Sequence, residues 1–117
     1  MKKVAKFFLV LFILLIGVSY LSADKAYQHL KFGIMAAQKD LWEEAIFQWK
    51  KAIKLNPNNA AAHNNLAVAY EKKGMYQEAK KEYELALKLS PQDSRIKTNY
   101  EKFLKIYKSL KSEQNEN

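Results

Sequence analysis

The 117-residue chain contains no cysteine. Disulfide bonds, thiolate nucleophiles and cysteine-bound metals are therefore excluded. A chain without thiols tolerates oxidising and reducing surroundings alike, so this absence does not indicate a compartment.

Glycine and proline are also scarce, with three and two residues. A β-protein of this length would need more turn residues. The composition is 49% apolar and 27% charged, which suits one folded domain better than a disordered chain. Alanine, leucine, lysine, glutamate and glutamine are abundant, and these residues favour helices. The composition therefore predicts an all-α protein.

The motifs of common enzymes are missing as well. There is no HExxH, no glycine-rich phosphate loop and no nucleophile elbow, and Gly17, Gly33 and Gly74 are far apart. The two histidines, His29 and His63, recur at equivalent positions of a repeat described below, which favours packed side chains over metal ligands. We expect a protein that is not an enzyme and has no metal site and no cofactor.

The N-terminus differs from the rest of the chain. Lys2, Lys3 and Lys6 precede an uncharged run from residue 7 to residue 23, and Asp24 is the next charge. This pattern is typical of an export signal, with cleavage after Ser19 or after residue 23. The alternative is an uncleaved anchor, since 17 helical residues span about 25 Å, slightly less than a hydrocarbon core of ~30 Å.

Residues 1–23 are therefore interpreted as a signal peptide or a signal anchor. Either reading places the remainder outside the cytoplasm, because the positively charged end stays inside. We expect an extracytoplasmic protein, periplasmic or secreted, or one anchored in the cytoplasmic membrane with its folded part outside.

The rest of the chain repeats itself at a fixed interval. Residues 26–59 align with residues 60–93 without a gap, and nine positions are identical. The identical pairs are Ala26/Ala60, His29/His63, Lys39/Lys73, Glu44/Glu78, Ala45/Ala79, Ala52/Ala86, Lys54/Lys88, Leu55/Leu89 and Pro57/Pro91. The members of every pair are separated by the same number of residues, which we call one repeat period. A constant separation predicts two copies of one structural unit.

Each copy is predicted to form two helices. They cover residues 26–38 and 42–55 in the first copy, and 60–73 and 76–89 in the second. Asp40 and Gly74 stand at the turns between them, where a left-handed residue fits. Pro57 and Pro91 end the second helices.

This pattern resembles the tetratricopeptide repeat, a helix–turn–helix unit of about 34 residues. The second copy carries the match at His63, Leu66, Ala67, Tyr70, Ala79, Tyr83, Ala86 and Pro91. The first copy carries it at Phe32, Gly33, Ala45, Trp49, Ala52 and Pro57, and departs from it at Ala36, where an aromatic residue is usual. The resemblance implies a helical-hairpin solenoid in which each unit buries its apolar face on the next.

Two repeats need a cover at their open end. Ile96, Tyr100, Phe103, Tyr107 and Leu110 fall on one helical face, so residues 94–110 are predicted to form a capping helix. Residues 111–117 have no apolar face, and we expect a disordered tail.

In tetratricopeptide-repeat proteins the first helix of each pair lines a concave groove that holds a partner. The resemblance therefore implies a partner-binding groove with ten residues. They are Tyr27, Leu30, Ile34, Ala37, Asn64, Asn65, Val68, Glu71, Lys72 and Arg95.

One subfamily grips the C-terminal carboxylate of chaperone tails with Lys, Asn and Arg side chains. Asn65 and Arg95 fall at such places, but Leu30 and Ile34 stand where a Lys and an Asn are needed. We therefore reject that ligand. Apolar Leu30 and Ile34 beside Tyr27 favour a partner helix or an extended apolar segment. The alternative is that this face packs on the residues before 26 or on a second copy.

The net charge is +8, or +5 once Lys2, Lys3 and Lys6 are set aside. Solvated helix surface accounts for most of this excess, and attraction to an anionic membrane surface or to an acidic partner is the sharper alternative. Nucleic acid is not expected. The leading functional hypothesis is a non-enzymatic adaptor that binds a protein or peptide partner, and the alternative is a structural protein that forms homo-oligomers through its repeat faces.

Overall fold

The computed structural model describes residues 1–115. Over that range the chain forms five α-helices and no β-strand. The helices are α1 (Lys2–Ala37), α2 (Trp42–Leu55), α3 (Ala60–Lys72), α4 (Tyr76–Leu89) and α5 (Ser94–Asn115). The molecule is elongated and measures 76 × 29 × 25 Å. The last third of α1 packs in a bundle with the other four helices, and the first two thirds of α1 project from that bundle.

The turns inside the two helical hairpins have the same backbone geometry. Asp40 and Gly74, at equivalent positions of the two copies, both have positive φ angles, of 57° and 71°. In each turn an amide just beyond this residue donates to a carbonyl five residues earlier: Leu41 to Ala36 at 3.0 Å and Met75 to Tyr70 at 2.8 Å. This arrangement satisfies carbonyls that the helix end leaves free. The prediction of a left-handed residue at both turns is confirmed.

The turns between successive hairpins are also alike. The Asn59 side chain accepts a hydrogen bond from the Ala62 amide at 3.0 Å, and Asp93 accepts one from the Ile96 amide at 3.2 Å. Both side chains cap the helix that follows, a role in which Asn and Asp are favoured.

Small residues allow the two helices of each hairpin to approach closely. The Trp49 indole of α2 lies directly on Gly33 of α1, where a Cβ atom would overlap the ring. Its Nε1 donates to the Leu30 carbonyl at 3.1 Å. In the second hairpin Ala67 and Tyr83 occupy the equivalent positions, and both are buried. A large ring therefore fills the space that a small residue leaves, once in each repeat.

Helix α5 covers the open end of the second hairpin. Ile96 and Phe103 are fully buried. The Phe103 ring lies 5.3 Å from that of Tyr83 and 5.5 Å from that of Tyr107. The predicted apolar face of this helix is thus the face that packs.

The N-terminal apolar segment and the first repeat helix form one continuous helix, α1. The sequence indicated two segments because the composition changes at Asp24. A change of composition does not by itself end a helix, and residues 18–32 contain neither glycine nor proline to end it. By length and composition α1 could cross a membrane, a property that it shares with signal sequences.

Helix α5 is longer than predicted. It continues to Asn115, whereas the predicted capping helix ended at residue 110 and a disordered tail began at residue 111. The added residues are exposed, but Lys, Glu and Gln are good helix formers, and Lys111 Nζ lies 5.2 Å from the centre of the Tyr107 ring. The last part of the predicted tail, residues 116–117, lies outside the described residues.

Candidate partner-binding groove

The first helices of the successive units, α1, α3 and α5, border a shallow concavity of about 360 Å³. Its lining residues are Ile34, Ala37, Gln38, Trp42, Trp49, Asn64, Asn65, Val68, Arg95 and Asn99. We call this concavity the groove.

The groove combines apolar and amide surface. Ile34, Ala37 and Val68 offer apolar contacts. Asn64 is 2% exposed, and its Oδ1 accepts a hydrogen bond from Asn99 Nδ2 at 3.2 Å, which joins α3 to α5. Side-chain amides beside apolar residues suit an extended peptide, whose backbone needs donors and acceptors and whose side chains need apolar contacts.

Six of the ten residues predicted for the groove line it together. They are Ile34, Ala37, Asn64, Asn65, Val68 and Arg95. Arg95 is exposed, with Nη2 at 4.0 Å from Asp93 Oδ2. Among the lining residues it is the one side chain that carries a positive charge.

The other predicted residues lie beside the groove rather than in it. Tyr27 is an exposed side chain on α1. Leu30 is half-buried and packs against the core cluster around Trp49 and Leu66. Lys72 places Nζ 5.9 Å from the ring centre of Trp42, at one end of the groove.

Glu71 has a structural contact inside the second hairpin. The Tyr83 hydroxyl donates to Glu71 Oε2 at 3.0 Å. Burial, reinforced by the charge of Glu71 and by this hydrogen bond, raises the pKa of Tyr83 far above its usual value. The hydroxyl therefore stays protonated and keeps donating.

Four lining residues were not predicted: Gln38, Trp42, Trp49 and Asn99. For Asn99 the signal was present, because it lies one repeat period after Asn65 and therefore on the same face of its helix. The two tryptophans belong to α2, the second helix of its hairpin. The rule that the first helices line the groove does not predict them.

The two histidines join the helices of their own hairpins. His29 Nδ1 lies 2.7 Å from Gln48 Oε1, and His63 Nδ1 lies 2.6 Å from Glu82 Oε2. Nε2 of His63 lies 2.7 Å from the Pro57 carbonyl oxygen. Each histidine thus has a helix-packing role at the same place of the repeat. Among residues 1–115 no group of three or more His, Cys, Asp or Glu side chains could hold a metal ion.

A second concavity, of about 560 Å³, lies between α2, α3 and α4. Its lining includes Phe47, Lys50, Lys51 and Lys54 of α2 and Tyr70 of α3. Lys51 Nζ stands 4.5 Å from the centre of the Phe47 ring. This site is larger than the groove, but its lining contains no side-chain amide of the kind found in the groove.

Stacked helical hairpins with a capping helix define a solenoid of the helical-repeat class. Residues 60–93 match the tetratricopeptide repeat family, and residues 37–74 match a family described as TPR repeat. The chain is a tetratricopeptide-repeat protein, in which two repeats and a capping helix follow an apolar N-terminal helix. No curated protein sequence matches it significantly.

Solved structures of tetratricopeptide-repeat domains share the fold. The Arabidopsis OM64 TPR domain superimposes with a TM-score of 0.71 at 20% identity, over 77% of this chain and 74% of that one. The TPR2B domain of yeast Sti1, in a complex with pHsp70, gives 0.70 at 24% identity over 75% and 70%. The second TPR domain of human RPAP3, in complex with the HSP70 peptide SGPTIEEVD, gives 0.65 at 24% identity over 68% and 66%.

Proposed function

We propose that the chain is a non-enzymatic adaptor that holds a segment of a partner protein in the groove between α1, α3 and α5. The observation that carries the proposal is the convergence of Ile34, Val68, Asn65 and Asn99 from three helices on one concavity. The two Hsp70-bound structures support a peptide as the class of ligand, since they have the same fold.

The residues of the groove favour a different peptide from the one in the RPAP3 complex. That peptide carries three acidic residues near its end. Here Arg95 is the one cation among the lining residues, and Ile34 offers no charge. We expect apolar side chains of the ligand against Ile34 and Val68, and backbone hydrogen bonds to the amides of Asn65 and Asn99.

We further propose that α1 remains attached as an anchor, with the repeats outside the cytoplasm. Cleavage after Ser19 or Ala23 would cut within α1, which runs without interruption into the first repeat. The lysines at positions 2, 3 and 6 favour a cytoplasmic N-terminus. The anchor would hold the groove at the outer face of the membrane.

Crosslinking in the native cell tests the groove. A photoreactive residue at Ile34, which is 41% exposed, should capture a partner, and one at Leu85 on α4, which is 42% exposed, serves as the matched control. Val68→Arg should abolish capture from position 34, whereas Leu85→Arg should leave it intact. Capture from position 85 alone would move the interface to the other face and contradict the proposal.

Self-association is the second candidate, and one observation favours it. Phe32 and Met35 on α1 are 50% and 45% exposed, although Leu66 and Ala69, one repeat period later, are 2% and 0% exposed. The first repeat thus presents an uncovered stacking face. Mass measurement of the detergent-solubilised chain over a range of concentrations decides: dimers that Phe32→Lys dissociates would support this candidate, and a monomer at every concentration would reject it.

A further inference from the structure

The pairing of α1 with α2 fixes which end of the repeats lies nearest the apolar segment. Trp49 Nε1 donates to the Leu30 carbonyl. The two helices run in opposite directions and have the same rise per residue. The residue seven positions before Leu30 in α1 is therefore level with the residue seven positions after Trp49 in α2. Asn56 therefore lies about level with Ala23, the last residue of the uncharged run. The turn after α2 stands at the height where the apolar segment ends.

The turn after α4 lies at the same edge of the bundle. His63 of α3 contacts Glu82 of α4, which aligns these two helices as His29 and Gln48 align α1 and α2. The Asn99–Asn64 hydrogen bond sets the start of α5 beside the start of α3. We call the edge formed by residues 24–25, 54–58 and 88–97 the near edge. The edge formed by residues 38–44 and 72–78, with the adjoining end of α5, is the far edge.

The near edge is basic. Its exposed cations are Lys25, Lys54, Lys88, Arg95 and Lys97. Two carboxylates lie there as well: Asp24 accepts from Gln28 Nε2 at 3.1 Å, and Asp93 accepts from the amides of Arg95 and Ile96. Five cations against two carboxylates leave the near edge with an excess of three positive charges. The far edge is balanced, since the four carboxylates Asp40, Glu43, Glu44 and Glu78 stand among the four cations Lys39, Lys72, Lys73 and Lys111, the last of which lies beside the Gly74 turn. The basic excess is thus directed toward the end of the apolar segment.

Both turns of the near edge also expose a leucine directly after a lysine. Leu55 is 38% exposed and Leu89 is 37% exposed, and they follow Lys54 and Lys88. An apolar side chain beside a long cation suits the boundary between headgroups and acyl chains, where the leucine enters the apolar side and the ammonium group stays with the phosphates.

We propose that the near edge rests on the headgroups of the membrane that holds α1, and that its lysines bind anionic lipid there. This inference rests on the proposed anchoring by α1. The continuous helix leaves no flexible linker, so the near edge meets the membrane surface wherever α1 crosses it. The groove is then held at a fixed height and orientation above the bilayer.

Spin labels on single cysteines test the inference, because the natural chain has no cysteine to interfere. The full chain is reconstituted in nanodiscs that contain either phosphatidylcholine alone or phosphatidylcholine with phosphatidylglycerol. Labels replace Asn58 at the near edge, Lys39 at the far edge and Leu14 in the apolar run. The readout is collision with an aqueous nickel complex and with lipid-soluble oxygen.

In the anionic discs the label at position 58 should collide several-fold less with nickel than the label at position 39. The double change Lys54→Glu with Lys88→Glu should remove this protection. The matched change Lys39→Glu with Lys108→Glu, away from the near edge, should preserve the protection of position 58.

Two contrary results are distinguishable. A lipid-embedded label at position 14 together with free nickel access at position 58 would overturn the headgroup contact and leave the anchor standing. A label at position 14 that nickel reaches as easily as position 39 would overturn the anchor and the inference together.

Discussion

The two repeats share a pattern but differ in their surroundings. The second repeat lies between the first repeat and α5, so Leu66 and Ala69 are 2% and 0% exposed. The equivalent residues of the first repeat, Phe32 and Met35, are 50% and 45% exposed, because none of the five helices within residues 1–115 packs over them. The comparison teaches that the neighbour, rather than the residue, decides burial in a stacked array.

Helix α5 extends the comparison to a third copy. Tyr100 and Phe103 stand one repeat period after Leu66 and Ala69, and they pack on the second repeat in the same manner. At the position of Gly33 and Ala67, however, α5 has the exposed Glu101. A second helix could not pack on α5 as closely there as α2 packs on Gly33 and α4 on Ala67.

The largest effect should come from removing a ring at the covered end. Phe103→Ala should lower the free energy of unfolding by about 3–5 kcal/mol, since a fully buried aromatic side chain is replaced by a cavity. Met35→Ala, at the equivalent position of the open end, should cost less than about 1 kcal/mol. Urea unfolding of the detergent-solubilised chain, followed by circular dichroism, measures both. Equal losses of stability in Phe103→Ala and Met35→Ala would contradict the claim that the neighbouring helix decides burial at these equivalent positions.

The next effect concerns the small residue that each ring packs on. Gly33→Ala should cost about 1–3 kcal/mol, because the new methyl group overlaps the Trp49 indole. Adding Trp49→Tyr copies the Ala67–Tyr83 pair of the second repeat into the first and should recover much of the loss. A double variant that is less stable than Gly33→Ala alone would contradict the equivalence of the two positions.

Most of the fold could be predicted from the sequence, because the repeat supplies its own alignment. The bounds of α2 and α4 agree with the prediction, and α3 ends one residue earlier than expected. The small residues, the rings and the prolines each recur after one repeat period, so each position was indicated twice. Single features without a second copy, such as the continuity of α1 and the length of α5, were the ones missed.

The groove could be predicted only in part for the same reason. Residues of the first helices were placed by the repeat, and six of them line the groove. Leu30 was expected there because the family resemblance implies a groove-facing residue at its position, yet it is half-buried and packs against the core. The sequence does not distinguish a side chain that lines the groove from one that packs in the core, because an apolar residue on nearly the same face of the helix suits both.

An effect of intermediate size is expected from the histidine contacts, which should stabilise the second repeat more than the first. Glu82→Ala should cost about 1–3 kcal/mol, because His63 is 6% exposed and its Nδ1 would lose its partner away from water. Gln48→Ala should cost less than about 1 kcal/mol, because water can reach the half-buried His29. Thermal unfolding of both variants compares them, and a larger loss for Gln48→Ala would contradict this account.

The smallest effect belongs to the ion pair between the repeats at the far edge. Lys73 Nζ lies 2.9 Å from Glu43 Oε1, and this contact lowers the pKa of the exposed Glu43 below its ordinary value of 4.5. The pair therefore stabilises the fold above pH 4.5, and its contribution disappears as the pH falls through the lowered pKa. Unfolding of the wild type and of Glu43→Gln at several pH values should show a slight difference that vanishes in acid and in high salt. A difference that grows in acid would refute this assignment.

The central claim is that α5 caps the two repeats by packing on them as the first helix of a further unit would. Pairs of spin labels at positions 31 and 65, and at positions 65 and 99, test it most directly by pulsed dipolar distance measurement. These positions are equivalent on α1, α3 and α5, so two narrow distributions with similar mean distances are predicted. A broad or clearly longer distribution for the second pair would show that α5 does not occupy the third position, and would contradict both the fold and the groove.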